Sequence, residues 1–187
     1  MLRVISGSAK GRRLSCPPGA VTRPPTDLLK GAVFNILSDR VMGARVLDLF
    51  AGCGAFGIEA LSRGAKTCVF VERDAAAVET LRRNLETAGF ADRAVIARGE
   101  IERTLARRAV GGEERPDLIF ADPPFGFAQT GEGRDAVARL ARVGLACLAP
   151  RGTFVLRLLR RRKDPIDIPE PSDRRGYGDS EVLFYHV

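Results

Sequence analysis

The chain predicts an α/β protein, a doubly wound and largely parallel sheet with helices on both faces, preceded by an extension. Three observations predict it. From Arg45 onward, short apolar runs alternate with stretches of helical period, the pattern of right-handed β-α-β units. The first run ends in a glycine-rich turn, "DLFAGCGAFG" at 48–57, that opens a helix. The fourth ends in "DPPF" at 122–125, where a strand runs directly into a turn stiffened by proline.

Upstream of the sheet, "LRVISG" and "GRRLSCP" predict two short strands of a hairpin around "SAK". "TDLLKGAVFNILSD" predicts a helix with Thr26 as N-cap and Leu29, Val33, Ile36 and Leu37 on one face. Residues 1–42 are thus read as a hairpin and helix extension, and residues 43–187 as the α/β domain. In that domain "ARVLDLF" is the first strand and "FGIEALSRG" a helix that Gly64 ends. "KTCVFVE" is a strand closing at Glu72, and "DAAAVETLRRNLETAG" an amphipathic helix with Gly89 beyond its end. "RAVIARG", "PDLIFADPPF" and "GTFVLRLL" are further strands; "IERTLARRA" and "GRDAVARLARVGLACLAP" are further helices. "SEVLFYHV" is a last strand. The segment before it, "RRRKDPIDIPEPSDRRGYGD", is too polar and irregular for a crossover helix, so the last strand is expected to pair antiparallel.

Composition narrows the function. A length of 187 residues with 45% apolar side chains suits one domain with a substantial core. No run approaches the ~18 apolar residues of a membrane span, and the amino terminus lacks the apolar core of a secretory signal, so a cytoplasmic protein is expected. Cys16, Cys53, Cys68 and Cys147 show no C-x-x-C spacing and His186 is the single histidine; no metal site and four reduced, mostly inert thiols are expected. Thirty Lys and Arg against 23 Asp and Glu give +7, a balance that suits a polyanionic partner. Arg3, Lys10, Arg12, Arg13 and Arg23 flank the hairpin as a candidate RNA-binding footprint, and Arg160, Arg161, Arg162 and Lys163 form a second cluster.

The glycine turn carries G-x-G-x-x-G at Gly52, Gly54 and Gly57, which alone is a weak signal. Asp48, four residues before Gly52, would repel a pyrophosphate and attract a cofactor bearing an ammonium and a sulfonium. Glu72 has the spacing of a ribose-binding acid, which serves either cofactor. Glu100 could accept from an adenine amine, with Ile101 against the ring, or be a solvated acid of a first helical turn; the residues leave both open. The candidate cofactor positions are therefore Asp48, Phe50, Ala51, Gly52, Gly54, Glu72, Arg73, Glu100 and Ile101. "DPPF" decides the chemistry. Asp122 and the Pro123 carbonyl can accept the two hydrogens of a base amine and orient its lone pair. Pro124 stiffens the turn, and Phe125 offers a stacking face worth ~1–3 kcal/mol per base. Together with the loop, this predicts S-adenosylmethionine and an amino-group acceptor. Competing classes are a nicotinamide oxidoreductase, opposed by Asp48 and "DPPF", and a non-catalytic RNA-binding factor, opposed by the intact Asp122 and glycine loop.

The chain as a whole resembles the RsmD family, the bacterial 16S rRNA guanine-N2 methyltransferases. The resemblance is carried by "RVISGSAKGRRLSCPPG", "TRPPTDLLKGAVFNIL", "VLDLFAGCGAFGIEALSRGA", "VFVE", "DPPF" and "YGDSEVLFY". It implies a class I methyltransferase fold with seven strands, the last antiparallel. It implies S-adenosylmethionine as methyl donor, one guanine N2 of 16S rRNA as acceptor, and an assembled or partly assembled small ribosomal subunit as partner; a monomer is expected, though the sequence does not define the oligomeric state. Cofactor roles then fall to Asp48, the Phe50–Gly54 loop and Glu72, and the catalytic role to Asp122, Pro123, Pro124 and Phe125. Adenine N6 or a protein glutamine is the alternative acceptor, and whether Asp122 takes the proton directly or through water stays open. Pro25 and Lys30-Gly31 stand where the family commonly has threonine and an Arg-Glu pair, and the missing acid is expected to remove a contact.

Overall fold

The computed structural model describes residues 2–16, 25–99, 101, 105, 114–124, 126–160 and 164–187. The extension begins with β1 (Leu2–Arg3) and β2 (Arg13–Leu14), an antiparallel pair. Helix α1 (Asp27–Leu37) follows, and the Thr26 hydroxyl accepts from the Leu29 N–H, the expected cap.

The domain then alternates β3 (Arg45–Leu49), α2 (Ala55–Ser62), β4 (Thr67–Glu72), α3 (Ala75–Ala88), β5 (Ala94–Arg98), β6 (Leu118–Ala121), α4 (Gly131–Cys147), β7 (Thr153–Leu159), β8 (Asp173–Tyr177) and β9 (Ser180–His186). Seven of these strands form one sheet in the order β5-β4-β3-β6-β7-β9-β8. The strands from β3 to β7 pair in parallel, and β9 runs antiparallel to both neighbours. Most of the helix expected over 101–109 lies outside the described residues.

Strand parity sorts the core into two layers. Val46, Phe70, Phe120 and Val155 point to one face with α1, α2, α3 and the hairpin. Leu47, Leu49, Ile119, Leu156 and Phe154 point to the other, against Leu105 and α4. Because strand side chains alternate, the two cores are the two faces of one sheet.

One strand departs from the sequence reading. The segment taken as irregular contains β8, which pairs with β9 across a Gly178-Asp179 turn in which Gly178 adopts φ 57°. Its residues, "DRRGY", lie at the sheet edge and bury none of their side chains fully. An edge strand held by backbone pairing needs no apolar alternation, so periodicity did not reveal it.

The extension is tied to the domain by a buried ionic cluster. Glu59, in the middle of α2, accepts from the backbone N–H groups of Ile5 at 2.9 Å and Ser6 at 3.0 Å. Its carboxylate also meets the Lys30 ammonium at 3.4 Å and Arg63 at 2.8 Å, with the Lys30 and Glu59 side chains fully buried. Lys30 donates as well to the Arg3 carbonyl. The cation that breaks the expected Arg-Glu pattern has therefore found its acid on another helix. Ser62 adds to the joint, its hydroxyl donating to Ser6 O and accepting from Ala9 N. Removing one partner of a buried pair leaves an uncompensated charge, at a cost of about 3–5 kcal/mol. Glu59→Ala should accordingly lower unfolding stability by about that amount and expose residues 2–16 to limited proteolysis. An unchanged denaturant midpoint would show that the cluster does not hold the extension.

Candidate active site

The strand order reverses between β3 and β6, and the crevice beyond the carboxyl ends of these strands is where an open α/β sheet binds ligands. Three predicted acids converge there. Asp48 occupies the fourth position of β3, Glu72 closes β4, and Asp122 follows β6 directly.

Asp48 is buried, and its carboxylate accepts the Gly57 N–H of α2 at 2.9 Å. Burial pushes its pKa well above the usual carboxylate range; the Gly57 hydrogen bond opposes this, and the charges of Asp122 and Glu72 add to it. Asp48 thus holds the helix to the strand from beneath the crevice. Glu72 does similar work at the loop. One of its oxygens accepts from Gly52 N at 2.9 Å, and the other from Arg73 N at 2.8 Å and Asp74 N at 2.9 Å. With two donors the latter oxygen is filled, and the former keeps one lone pair for a ligand hydroxyl.

The loop between these acids is shaped by its glycines. Gly54 begins α2 at φ 86°, and a Cβ there would lie 2.6 Å from Leu81. A Cβ on Gly57 would come within 2.2 Å of the Phe70 ring, so this glycine lets α2 lie close on β4. Phe50 holds φ 59°, a left-handed conformation that costs a non-glycine residue about 1–3 kcal/mol. Its ring packs edge-on against Phe127, 5.6 Å away, so the glycine loop touches the segment after "DPPF". Ala51 is buried, Arg73 is exposed, and Ile101 packs on the α4-side core. Glu100 lies outside the described residues.

Asp122 meets a residue the sequence reading did not single out. Arg157 of β7 places Nη1 3.1 Å from Asp122 Oδ1 and 2.9 Å from Oδ2. Its Nε donates to the Ser180 hydroxyl of β9 at 3.0 Å. Burial raises the Asp122 pKa, and the Arg157 charge and hydrogen bond oppose the rise. A signal existed in "GTFVLRLL": an arginine inside a buried strand demands an acid. Pro123 is buried, and the Pro124 carbonyl accepts from Phe127 N at 2.8 Å, turning the chain back. Phe125 lies outside the described residues, as do Arg23, Arg161, Arg162 and Lys163.

Of the hairpin cations, Lys10, Arg12 and Arg13 are exposed, whereas Arg3 pairs with Asp27 at 2.7 Å. Among the described residues no group of three or more His, Cys, Asp or Glu could hold a metal, and no helix is long and apolar enough to cross a membrane.

The layers, strand order and antiparallel last strand define the fold of the class I methyltransferases. The chain belongs, more narrowly, to the RsmD family: the sequence model of the family described as "Conserved hypothetical protein 95" matches residues 2–186. "Putative rRNA methyltransferase YlbH" of Bacillus subtilis (strain 168) is 46% identical over 127 residues, covering 66% of this chain and 67% of that protein. "Ribosomal RNA small subunit methyltransferase D" of Escherichia coli (strain K12) is 36% identical over 124 residues, 66% of this chain; the match spans 60% of that relative's length. Among solved structures, a hypothetical protein of Thermus thermophilus superposes with a TM-score of 0.82 at 31% identity, covering 100% of both chains. A likeness of fold alone extends to an RNA methyltransferase of Salinibacter ruber in complex with S-adenosyl-L-homocysteine, with a TM-score of 0.61 at 16% identity, covering 88% of this chain and 94% of that one.

The thiols are less uniform than their sequence context suggests. None of the four is in a disulfide, but Cys16 of the extension lies with Sγ 3.0 Å from Cys53 Sγ in the glycine loop. The Cys53 thiol pulls the Cys16 pKa down to about 7, while the hydrogen bond that Cys53 gives to Cys16 and burial push Cys53 up. Only Cys16 of the four is less than fully buried. Alkylation should therefore strike Cys16 first, its rate rising as pH passes through about 7, and Cys53→Ala should move that rise toward the ordinary ~8.5. Equal rates at all four thiols, or no effect of Cys53→Ala, would contradict the contact.

Proposed function

We propose that this chain transfers a methyl group from S-adenosylmethionine to the exocyclic N2 amine of a guanine in 16S rRNA of the small ribosomal subunit. The observation that carries the reading is the carboxylate of Asp122, held at the switch point of the sheet in the turn "DPPF" and directly beside the glycine loop. The names of the RNA methyltransferase relatives support the class of substrate.

The crevice suits this donor by its charge. Asp48, Glu72 and Asp122 line the crevice with carboxyl groups that disfavour a pyrophosphate and whose ionised forms a cationic ligand would stabilise. The left-handed Phe50 and the tight Gly54 turn bring backbone, not side chain, to the ligand. Glu72, with a lone pair left on one oxygen, is the residue to take a ribose hydroxyl. Held there by Glu72 and the glycine loop, S-adenosylmethionine would supply an electrophilic methyl group, with the sulfonium sulfur as the leaving atom that keeps the C–S electron pair. Asp122 and the Pro123 carbonyl accept the two amine hydrogens, turning the nitrogen lone pair out of the base plane toward the methyl carbon. The carboxylate also stabilises the positive charge that develops on nitrogen as the N–C bond forms. The proton then leaves to water, directly or by way of Asp122. A guanine in folded RNA must first be flipped out, and stacking on Phe125 offsets part of that cost. Lys10, Arg12 and Arg13 on the hairpin, with Arg3 and Arg23 beside them, are suited to phosphate contacts.

The test is methyl transfer from labelled S-adenosylmethionine to small ribosomal subunits that lack the modification, with the RNA digested and its nucleosides identified by mass. Label should appear in N2-methylguanosine, and Asp122→Ala should retain cofactor affinity while turnover falls by about 10²–10³-fold. Label in another nucleoside would overturn the acceptor. Unchanged turnover of Asp122→Ala would overturn its role.

A further inference from the structure

Arg157 is the least expected charge in the sheet. Parity puts it on the same face as Val155, paired across to Val182 of β9, both fully or almost fully buried. Its own side chain is 7% exposed and that of Asp122 16%. A guanidinium in such a place persists only where its donors are used. Nε is used by Ser180, on the strand that runs antiparallel to β7, and Nη1 is shared between both oxygens of Asp122.

Two consequences follow from this geometry. A carboxylate whose two oxygens share one Nη1 donor is restrained about its Cβ–Cγ bond, which favours one set of directions for its remaining lone pairs. The buried cation also favours the ionised form of the carboxylate, offsetting part of the pull of desolvation. The charged groups around it act in opposite senses: Arg157 from β7 favours the anion, while Asp48 from β3 and Glu72 at the end of β4 are acids at the same edge of the sheet; Ser180 of β9 is neutral.

We infer that Arg157 is a positioning residue for methyl transfer, fixing Asp122 as an oriented, ionised acceptor for the substrate amine. The inference rests on the reading of Asp122 given above. It assigns the carboxylate a definite part in the reaction: a steady acceptor of the amine hydrogens that leaves the released proton to water, because Arg157 opposes the rise in proton affinity that burial imposes. The planar fork matters as much as the charge. A lysine in its place would supply the charge as a single point and could not hold Ser180 and both Asp122 oxygens together.

The sign of the pH effect is determined. Without Arg157, burial alone acts on Asp122, so its proton affinity rises. A protonated carboxyl gains an O–H donor and loses an acceptor, so methyl transfer should fail progressively as pH falls through the raised value and recover as pH climbs above it.

The experiment measures single-turnover methyl transfer to unmodified small subunits across pH 5.5–9 for the wild type, Arg157→Leu, Arg157→Gln, Arg157→Lys and Asp122→Asn, together with cofactor affinity. Arg157→Leu and Arg157→Gln should lose about 10–100-fold near pH 6, recover much of it at high pH, and bind the cofactor normally; Arg157→Lys should lie between. If Arg157→Leu does not fold, Arg157→Gln carries the test. A loss that is the same at every pH, or a wild-type profile in both variants, overturns the inference and leaves Arg157 a structural residue. The two readings fail separately. An active Asp122→Asn removes the role of Asp122 itself, whereas an inactive Asp122→Asn beside pH-independent Arg157 variants removes only the role of Arg157.

Discussion

Three carboxylates have to share one edge of a parallel sheet, and the arrangement of the crevice answers that constraint. Asp48 is the most enclosed of them, and the charges of Asp122 and Glu72 make its ionisation harder. Each acid is satisfied differently: Asp48 by a helix N–H, Glu72 by loop N–H groups, and Asp122 by the Arg157 guanidinium. Backbone amides that would otherwise be orphaned at the start of α2 and after β4 are thereby used to neutralise acids. The same donors fix the loop, so charge and shape in this crevice come from the same hydrogen bonds.

The glycines make that arrangement sterically possible. Gly57 must be bare for its N–H to approach Asp48, since a Cβ would strike Phe70 and Cys68. Phe50 accepts a left-handed backbone and meets Phe127, linking the loop beyond β3 to the turn beyond β6. The extension is joined to the back of α2 by the Glu59 cluster and reaches the loop through Cys16. A helix whose one end closes the crevice therefore carries the basic hairpin on its other face.

Much of this was legible in the sequence, for physical reasons. Parallel strands buried on both faces write themselves as apolar runs, so β3, β4, β6 and β7 could be read directly. The caps at Thr26 and Gly89 marked where helices start and stop. The positions of the three acids were legible because each lies at or just beyond the carboxyl end of an apolar run. What stayed hidden depends on pairing across the chain. β8 has no apolar pattern because it lies at an edge. Lys30 and Glu59 are 29 positions apart and seemed unrelated until the fold buried them together. Arg157 and Asp122 sit on neighbouring strands, 35 positions apart. The Cys16–Cys53 contact, across 37 positions, is of the same kind.

A crevice lined by Asp48, Glu72 and Asp122 suits a cation and not a dinucleotide phosphate. Calorimetric titration of the protein with S-adenosylmethionine and, under the same conditions, with NAD separates the two. Saturable one-to-one binding of S-adenosylmethionine and no measurable binding of NAD are expected. Tighter binding of NAD, or no binding of S-adenosylmethionine by folded protein, would contradict that preference.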